Sequence, residues 1–491
     1  MKTKSGPDLD SYLEDTSNIP GYADVVYIPD RTEEIHSALA QCRASRIPFT
    51  VSAGRTGTTG AGIPQSGALC SVENLQRIHS IDPDRGIAVI EPGVSLDDLN
   101  QAARPHGYTL RAASTEWLAR AGGIVGTCAS GVRGFKYGSI RTYIRSLDLL
   151  LTTGESITIR RGRHRACGRK LYAEFPRKTF DLILPGYTAP GIKTQAGYRA
   201  TNDLDLIDLI IGSEGTLGII TRIVLQLQKI PFTSFYGLLF LPDERRAFRL
   251  VEHARSLTAR GILCPAALEY FDARSLEFLR DENPFIPASG TAVYFEQEIE
   301  REPEYEPAMA QWVQLAETHG ADAGQSILAD TPQERERIFS FRHSLPQHIN
   351  EYLRQHRVVK RATDIAVPRR AFRQMYRYYK TLGEESGLPY VNFGHIGESH
   401  LHFNFLPRNK KEERKAKKYL ILFCERAVAL GGTVSAEHGI GKLKRDLLRL
   451  MYPAHRIREM AALKHYFDPH DILGLDTIFA KELLPAWRGH G

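Results

Sequence analysis

A chain of 491 residues, 42% hydrophobic and 25% charged, is large enough for two or three domains with full cores and has the balance of a globular protein. It contains no run near the roughly 20 apolar residues of a membrane helix, and the opening Met1-Lys2-Thr3-Lys4-Ser5-Gly6-Pro7-Asp8 lacks the apolar core of a signal peptide. The six cysteines, at 42, 70, 128, 167, 264 and 424, form no C-x-x-C pair, which argues against a disulfide framework, a zinc ribbon or an iron–sulfur cluster and for a reducing cytoplasm.

In chain order, Asp24 to Pro29 reads as a short strand, and Thr32 is expected to cap a helix with Glu33 and Glu34 in its first turn and Ile35, Leu39 and Cys42 at helical spacing. Pro48 to Val51 is the next strand. It runs into Ser52-Ala53-Gly54-Arg55-Thr56-Gly57-Thr58-Thr59-Gly60-Ala61-Gly62, a turn whose bare backbone N–H groups suit an anion cradle. Its spacing is neither a Walker loop nor the dinucleotide fingerprint. Glu91-Pro92-Gly93-Val94 ends another strand, and Ser95 with Asp98 makes a capping-box-like start to a helix at Leu96. Small residues recur at Gly122, Gly123, Gly126, Thr127, Ser130 and Gly131, then at Tyr137-Gly138, and again at Glu214-Gly215-Thr216-Leu217-Gly218-Ile219-Ile220. At such points an extended ligand can approach the main chain closely.

Residues 156 to 192 read as a surface insertion, with a basic run at Arg160, Arg161, Arg163, Arg165, Arg169 and Lys170. A second basic run spans Arg408 to Lys418 within a net charge of +7. Both read first as a solvated loop and an exposed helix face. The sharper alternatives are docking of an acidic electron-transfer partner or of an anionic membrane surface. No nucleic-acid-binding motif accompanies them, so nucleic acid is excluded as a partner.

After Pro231 the texture is α+β, with strands expected at Phe235 to Leu241 and Thr291 to Glu298, and helices at Asp243 to Arg260 and Met309 to His319. From Ser399 to Leu406 polar and apolar residues alternate, so His400, His402 and Asn404 share one strand face while Leu401, Phe403 and Phe405 point into a core. With His395 just before them, these imidazoles and a carboxylate from elsewhere suit a divalent metal. Gly431 to Lys442 then sets Glu437 beside His438 between glycines.

These last two segments resemble the C-terminal part of flavin-linked 2-hydroxy-acid dehydrogenases of the vanillyl-alcohol-oxidase superfamily, with their G-H-x-G-D-G-N-x-H-x-N and G-E-H-G-x-G patterns. Residues 24 to about 228 are similar to the FAD-binding domain of the same superfamily. The resemblance implies an α+β protein in three parts. Residues 20–230 would be a PCMH-type FAD-binding domain of two subdomains, 231–430 a cap or substrate domain, and 431–484 a segment returning to the FAD domain. It implies FAD contacts at Ala53, Gly54, Arg55, Thr56, Gly57, Thr58, Thr59, Gly60, Pro92, Gly93, Gly122, Gly123, Gly126, Thr127, Ser130, Gly131, Tyr137, Gly138, Glu214, Gly215, Gly218, Ile219 and Ile220. His395, His402 and Glu437 would hold zinc, manganese or iron, and His438 would be the catalytic base. Arg342, Lys360 and Asn404 would meet the substrate.

Departures from the pattern leave points open. Glu398-Ser399-His400 stands where the family has Asp-Gly-Asn, so His400 is a substrate contact or a replacement ligand for His402. Arg55 pairs with the pyrophosphate or makes a surface salt bridge, and Arg342 and Lys360 have a surface Arg and Lys as their plain alternative. The first loop holds no His or Cys, so the FAD is expected to be non-covalent. The implied reaction is oxidation of a 2-hydroxy acid, with electrons passed to a quinone, cytochrome or electron-transfer flavoprotein. The implied setting is cytoplasmic, with at most peripheral membrane contact and a homodimer left open. Rival readings are a metal-dependent hydrolase and a non-catalytic binding protein on a flavin fold.

Overall fold

A computed structural model describes residues 1–113 and 116–487. The chain divides into two compact units. One comprises Met1–Gly131, Ser139–Ile230 and Val434–Gly491, and the other Val132–Gly138 and Pro231–Thr433.

In the first unit a four-stranded sheet runs in the order Lys2–Lys4, Val25–Ile28, Ala68–Ser71, Phe49–Ser52, the last three mutually parallel. Val25–Ile28 and Phe49–Ser52 flank Ala68–Ser71 and run parallel, so the chain between them must cross over, which the helix Thr32–Ala44 does. This helix buries Ile35, Ala38, Leu39 and Cys42, one stripe at i, i+3, i+4 and i+7. Its N-cap is Arg31, without a side-chain cap bond, and Thr32 is already helical, contrary to the capping role expected of it. A second, antiparallel sheet has the order Ile78–Asp82, Ile87–Ile90, Ile219–Gln226, Ile144–Leu150, Ser156–Arg160. The C-terminal segment returns to the first sheet: Phe49 N–H donates to Ile472 O at 2.7 Å, and Gly474 N–H to Phe49 O at 2.9 Å.

The stretch after residue 156 is more ordered than a loose insertion. Ser156–Arg160 is an edge strand, and Lys170–Phe175 pairs with Lys178–Ile183 as a hairpin. Leu171, Ala173, Phe180 and Leu182 are buried on one hairpin face, with the Phe180 ring 4.7 Å from that of Phe467. Nor is its basic run simply solvated. Arg161 pairs with Asp208 at 2.8 Å and donates to two backbone carbonyls.

The second unit is built on an eight-stranded sheet. Its path is Ile327–Ala329, Thr233–Leu241, Thr291–Ile299, Pro265–Phe271, Tyr390–Gly394, His400–Phe405 and Arg361–Ala362, with Ile365–Ala366 also on the His400 strand. All nine residues of Thr291–Ile299 are buried, including two carboxylates. Buried charges need partners. Arg133 Nε–H is shared between both carboxylate oxygens of Glu296 at 2.9 and 2.8 Å, and Lys136 lies 2.6 Å from Glu298, which is why the short segment Val132–Gly138 belongs to this unit. The 24-residue helix Pro332–Gln355 opens with a Thr331/Glu334 capping box. It turns Ile338, Phe341, Arg342, Leu345, Ile349 and Leu353 inward.

Candidate active site

The strand His400–Phe405 has the expected two faces. Phe403 packs among Tyr379, Tyr390 and Phe423 at ring separations of 5.4, 4.5 and 4.9 Å. On the other side the three imidazoles gather: His400 and His402 are 4.5 Å apart, and His395 is 5.3 and 5.4 Å from them. Gly394 makes room for this. A Cβ there would stand 2.9 Å from the His402 ring, and its φ of +129° is one that side chains avoid.

A turn holds His395 in place. Ser399 sits in the left-handed region at φ 56°, where the family pattern has Gly. Arg255 bonds the carbonyls of Ile396 and Gly397 and the Ser399 hydroxyl, offsetting that strain. His395 Nδ1 lies 2.6 Å from Glu269 Oε1, and Arg342 donates to the same carboxylate at 2.7 and 3.3 Å. Burial alone would raise the Glu269 pKa. Arg342 and His395 outweigh it and hold the carboxyl well below the usual range. His400 Nε2 faces Asp364 at 3.1 Å, and His402 Nδ1 faces Thr363 O at 3.3 Å.

Arg342 is thus no surface arginine: it is 8% exposed and tied to Glu269. Lys360 is half-buried and donates to Asn350 at 3.3 Å, and burial pushes its ammonium down to about 8. The buried Asn404 amide donates to His402 O. Tyr137 and Gly138, expected among the cofactor loops, fall in this unit, and the Tyr137 hydroxyl bonds Glu298.

In the first unit the C-terminal loop is sewn to the glycine-rich turn. Thr59 O accepts N–H bonds from Lys442 and Leu443, and the Thr59 hydroxyl bonds His438 O. The Lys442 ammonium, pushed down to about 8 by burial, donates to Gly60 O, Ala61 O and Thr477. Glu437 is buried, 2.8 Å from Lys193 and accepting from Ser130. His438 is more exposed, its Nε2 3.7 Å from Glu437.

Several expected cofactor contacts have internal duties. The Glu214 carboxylate accepts the N–H groups of Ile440 and Gly441, and burial raises its pKa to about 7. Arg55 makes the salt bridge of its alternative reading, with Glu73 at 3.1 Å, and covers the Tyr12 ring. Ile219 lies in the hydrophobic core, and the Thr127 hydroxyl bonds Gly123 O. Gly122 is close-packed, since a Cβ would meet Pro92 at 2.8 Å. Gly126 is not: its φ is ordinary, and no neighbouring atom lies within 4 Å of a built Cβ. Neither conformation nor packing requires glycine there. Close approach of a ligand to the backbone does explain it, so the loop fits an extended cofactor.

Sequence reasoning did not name Glu269 or Asp364 as partners of the histidines, nor Lys193 as the partner of Glu437. A carboxylate such as Glu269 in an otherwise apolar strand, PAALEYF, was the one available hint.

A family model described as FAD binding domain matches residues 23–160, and one described as FAD linked oxidases, C-terminal domain, matches residues 233–474. Together they define the class, an FAD-linked oxidoreductase. The chain is 29% identical over 468 residues to D-lactate dehydrogenase of Anaerostipes hadrus, covering 92% of this chain and 88% of that protein. It is 28% identical over 467 residues to glycolate oxidase subunit GlcD of Bacillus subtilis (strain 168), covering 94% and 89%. An alkyldihydroxyacetonephosphate synthase structure shares the fold, with a TM-score of 0.67 at 18% identity over 96% of this chain and 81% of that one. The chain belongs to the PCMH-type family of FAD-linked dehydrogenases and oxidases. Among the described residues no helix is long and apolar enough to cross a membrane.

Proposed function

We propose that this protein oxidises a small 2-hydroxy acid to the 2-oxo acid, with FAD held non-covalently and a divalent metal assisting. The observation that supports this reading is the histidine face of the second unit, whose rings each have a carboxylate or carbonyl oxygen near one nitrogen, in a family whose relatives are named for lactate and glycolate. Carboxylate- and carbonyl-anchored imidazoles are the usual dress of a metal site. In this reading His395, His402 and Glu437 hold zinc, manganese or iron, which would supply Lewis-acid polarisation. When bound, FAD supplies a two-electron acceptor for the Cα hydride.

The chain's own groups do the rest. Lys360 meets the substrate carboxylate as a point charge, and Arg342, its guanidinium pre-oriented by Glu269, as a planar fork. Asn404 bonds the substrate. His438, neutral, takes the hydroxyl proton as the Cα hydrogen leaves with its electron pair, so that two electrons and one proton depart to the acceptor and one proton to the base. General-base help of this kind contributes about 10²–10⁴-fold. A separate electron acceptor, such as a quinone, cytochrome or electron-transfer flavoprotein, completes the cycle.

An anaerobic screen of lactate, glycolate, 2-hydroxyglutarate, malate and larger hydroxy acids tests the reading. At least one should bleach the flavin absorption of the purified protein, and His438→Ala should retain FAD while losing the bleaching. A flavin that none of them bleaches would remove the assignment.

A further inference from the structure

The family pattern has Asn at the position of His400, and a histidine there changes the donor set. The His400 ring is fully buried, and one nitrogen from each of His395, His400 and His402 lies within 4.8 Å of the others. Each ring also has an acceptor close to one nitrogen: Glu269 Oε1 is 2.6 Å from His395 Nδ1, Asp364 Oδ1 is 3.1 Å from His400 Nε2, and Thr363 O is 3.3 Å from His402 Nδ1. An acceptor at one nitrogen draws the proton there and puts the lone pair on the opposite nitrogen, the protonation state a metal ligand must have.

Asp364 is itself buried beside a strand bonded to the histidine strand, since Ile365 and Ala366 pair with Leu401 and His400. The same strand pairing therefore positions both the ring and its carboxylate. This is the arrangement His395 has with Glu269, built a second time from different elements.

We propose that His400 is a metal ligand alongside His395 and His402, giving this chain a three-imidazole centre rather than the two-imidazole centre of the family pattern. The proposal rests on the metal-assisted reading above. Its chemical consequence is selectivity: an added imidazole shifts preference towards zinc, iron, cobalt or copper and away from manganese, which favours oxygen donors.

The test uses full-length, FAD-loaded protein stripped of metal with a chelator and then titrated with Zn²⁺. Affinity is measured by chelator competition, and Cu²⁺-loaded samples are examined by pulsed EPR to count coordinated imidazoles. Wild type should show three imidazoles, and His400→Asn two, with Zn²⁺ affinity at least about tenfold lower. Asp364→Asn should keep three imidazoles and lose about 10–100-fold in affinity, as loss of a supporting carboxylate does. FAD content and circular dichroism control for folding, and the count on wild type stands even where a variant does not fold.

His395→Ala separates the two levels of the argument. If it loses Zn²⁺ while His400→Asn binds like wild type with an unchanged imidazole count, His400 is no ligand and only this inference falls. Wild-type protein that binds no metal overturns both the inference and the metal reading beneath it.

Discussion

Glu269 Oε1 lies 2.6 Å from Nδ1 of His395, joining a fully buried strand carboxylate to the ring that leads the histidine cluster. The other side of that carboxylate is held by Arg342, from a helix 73 residues further along the chain. Arginine, glutamate and histidine thus form a line in which the guanidinium balances the carboxylate charge and the ring lies against the carboxylate's Oε1, so that a helix and a strand together set the orientation of a ring across a sheet.

Glu269→Gln leaves Arg342 buried without its counter-charge, a loss of about 3–5 kcal/mol by the usual cost of breaking a buried pair. The folded pKa of Glu269 lies below its ordinary value of 4.5. Its ionised form therefore stabilises the fold above that value, and the contribution drains away as pH falls towards the depressed one. Urea unfolding should show wild type weakening below about pH 4.5 and Glu269→Gln weaker at neutral pH with a flatter acid limb. Equal midpoints at neutral pH would mean that the pair is not stabilising.

Lys360 gives a pH dependence of opposite kind. Burial lowers its pKa from 10.5 to about 8, so its charge is lost as pH rises through that point. KM for the hydroxy acid should climb above about pH 8, with kcat less affected. Lys360→Arg should remove the climb, because guanidinium stays charged. Stability moves the other way: the unfolded lysine binds the proton more tightly, so its contribution rises between about 8 and 10.5. A flat KM profile across this range would take Lys360 out of the substrate site.

Two glycines of one short helix should behave differently. Gly122→Ala drives a Cβ to 2.8 Å from Pro92 and should destabilise by about 1–3 kcal/mol. Gly126→Val meets no neighbouring atom at its Cβ, so its fold should survive while FAD affinity drops. Thermal unfolding and FAD titration of both variants check this. A Gly126→Val protein that binds FAD like wild type would show that this loop does not touch the cofactor.

Acid precipitation should release the FAD into the supernatant without proteolysis, because no His or Cys lies between Ser52 and Gly62 to bond it. Yellow colour retained in the pellet would mean a covalent link from elsewhere in the chain.

The alternation from His400 to Phe405 was legible because a strand's period of two is a local property, and both its faces are occupied as the residue types demand. The same holds for the Ser95 cap, whose hydroxyl accepts the Asp98 N–H three residues on. Thr32 was misjudged because cap position depends on where the preceding chain bends, and Arg31 takes that bend. The hairpin after residue 170 was missed because its basic residues obscure an alternation whose buried half is only four side chains.

The glycine-rich turns, the histidine strand and the Glu437-His438 pair are written into short stretches of chain, since each depends on neighbours a few residues apart. The partners of the buried charges are not. Glu269 with Arg342 and His395, Asp364 with His400, Glu437 with Lys193, and Arg133 with Glu296 are pairs drawn from distant segments. A charge removed from water must be matched by whichever group the fold brings to it. That group is chosen by strand order and helix docking, which no local pattern encodes, so only the tertiary structure could decide how each histidine is held.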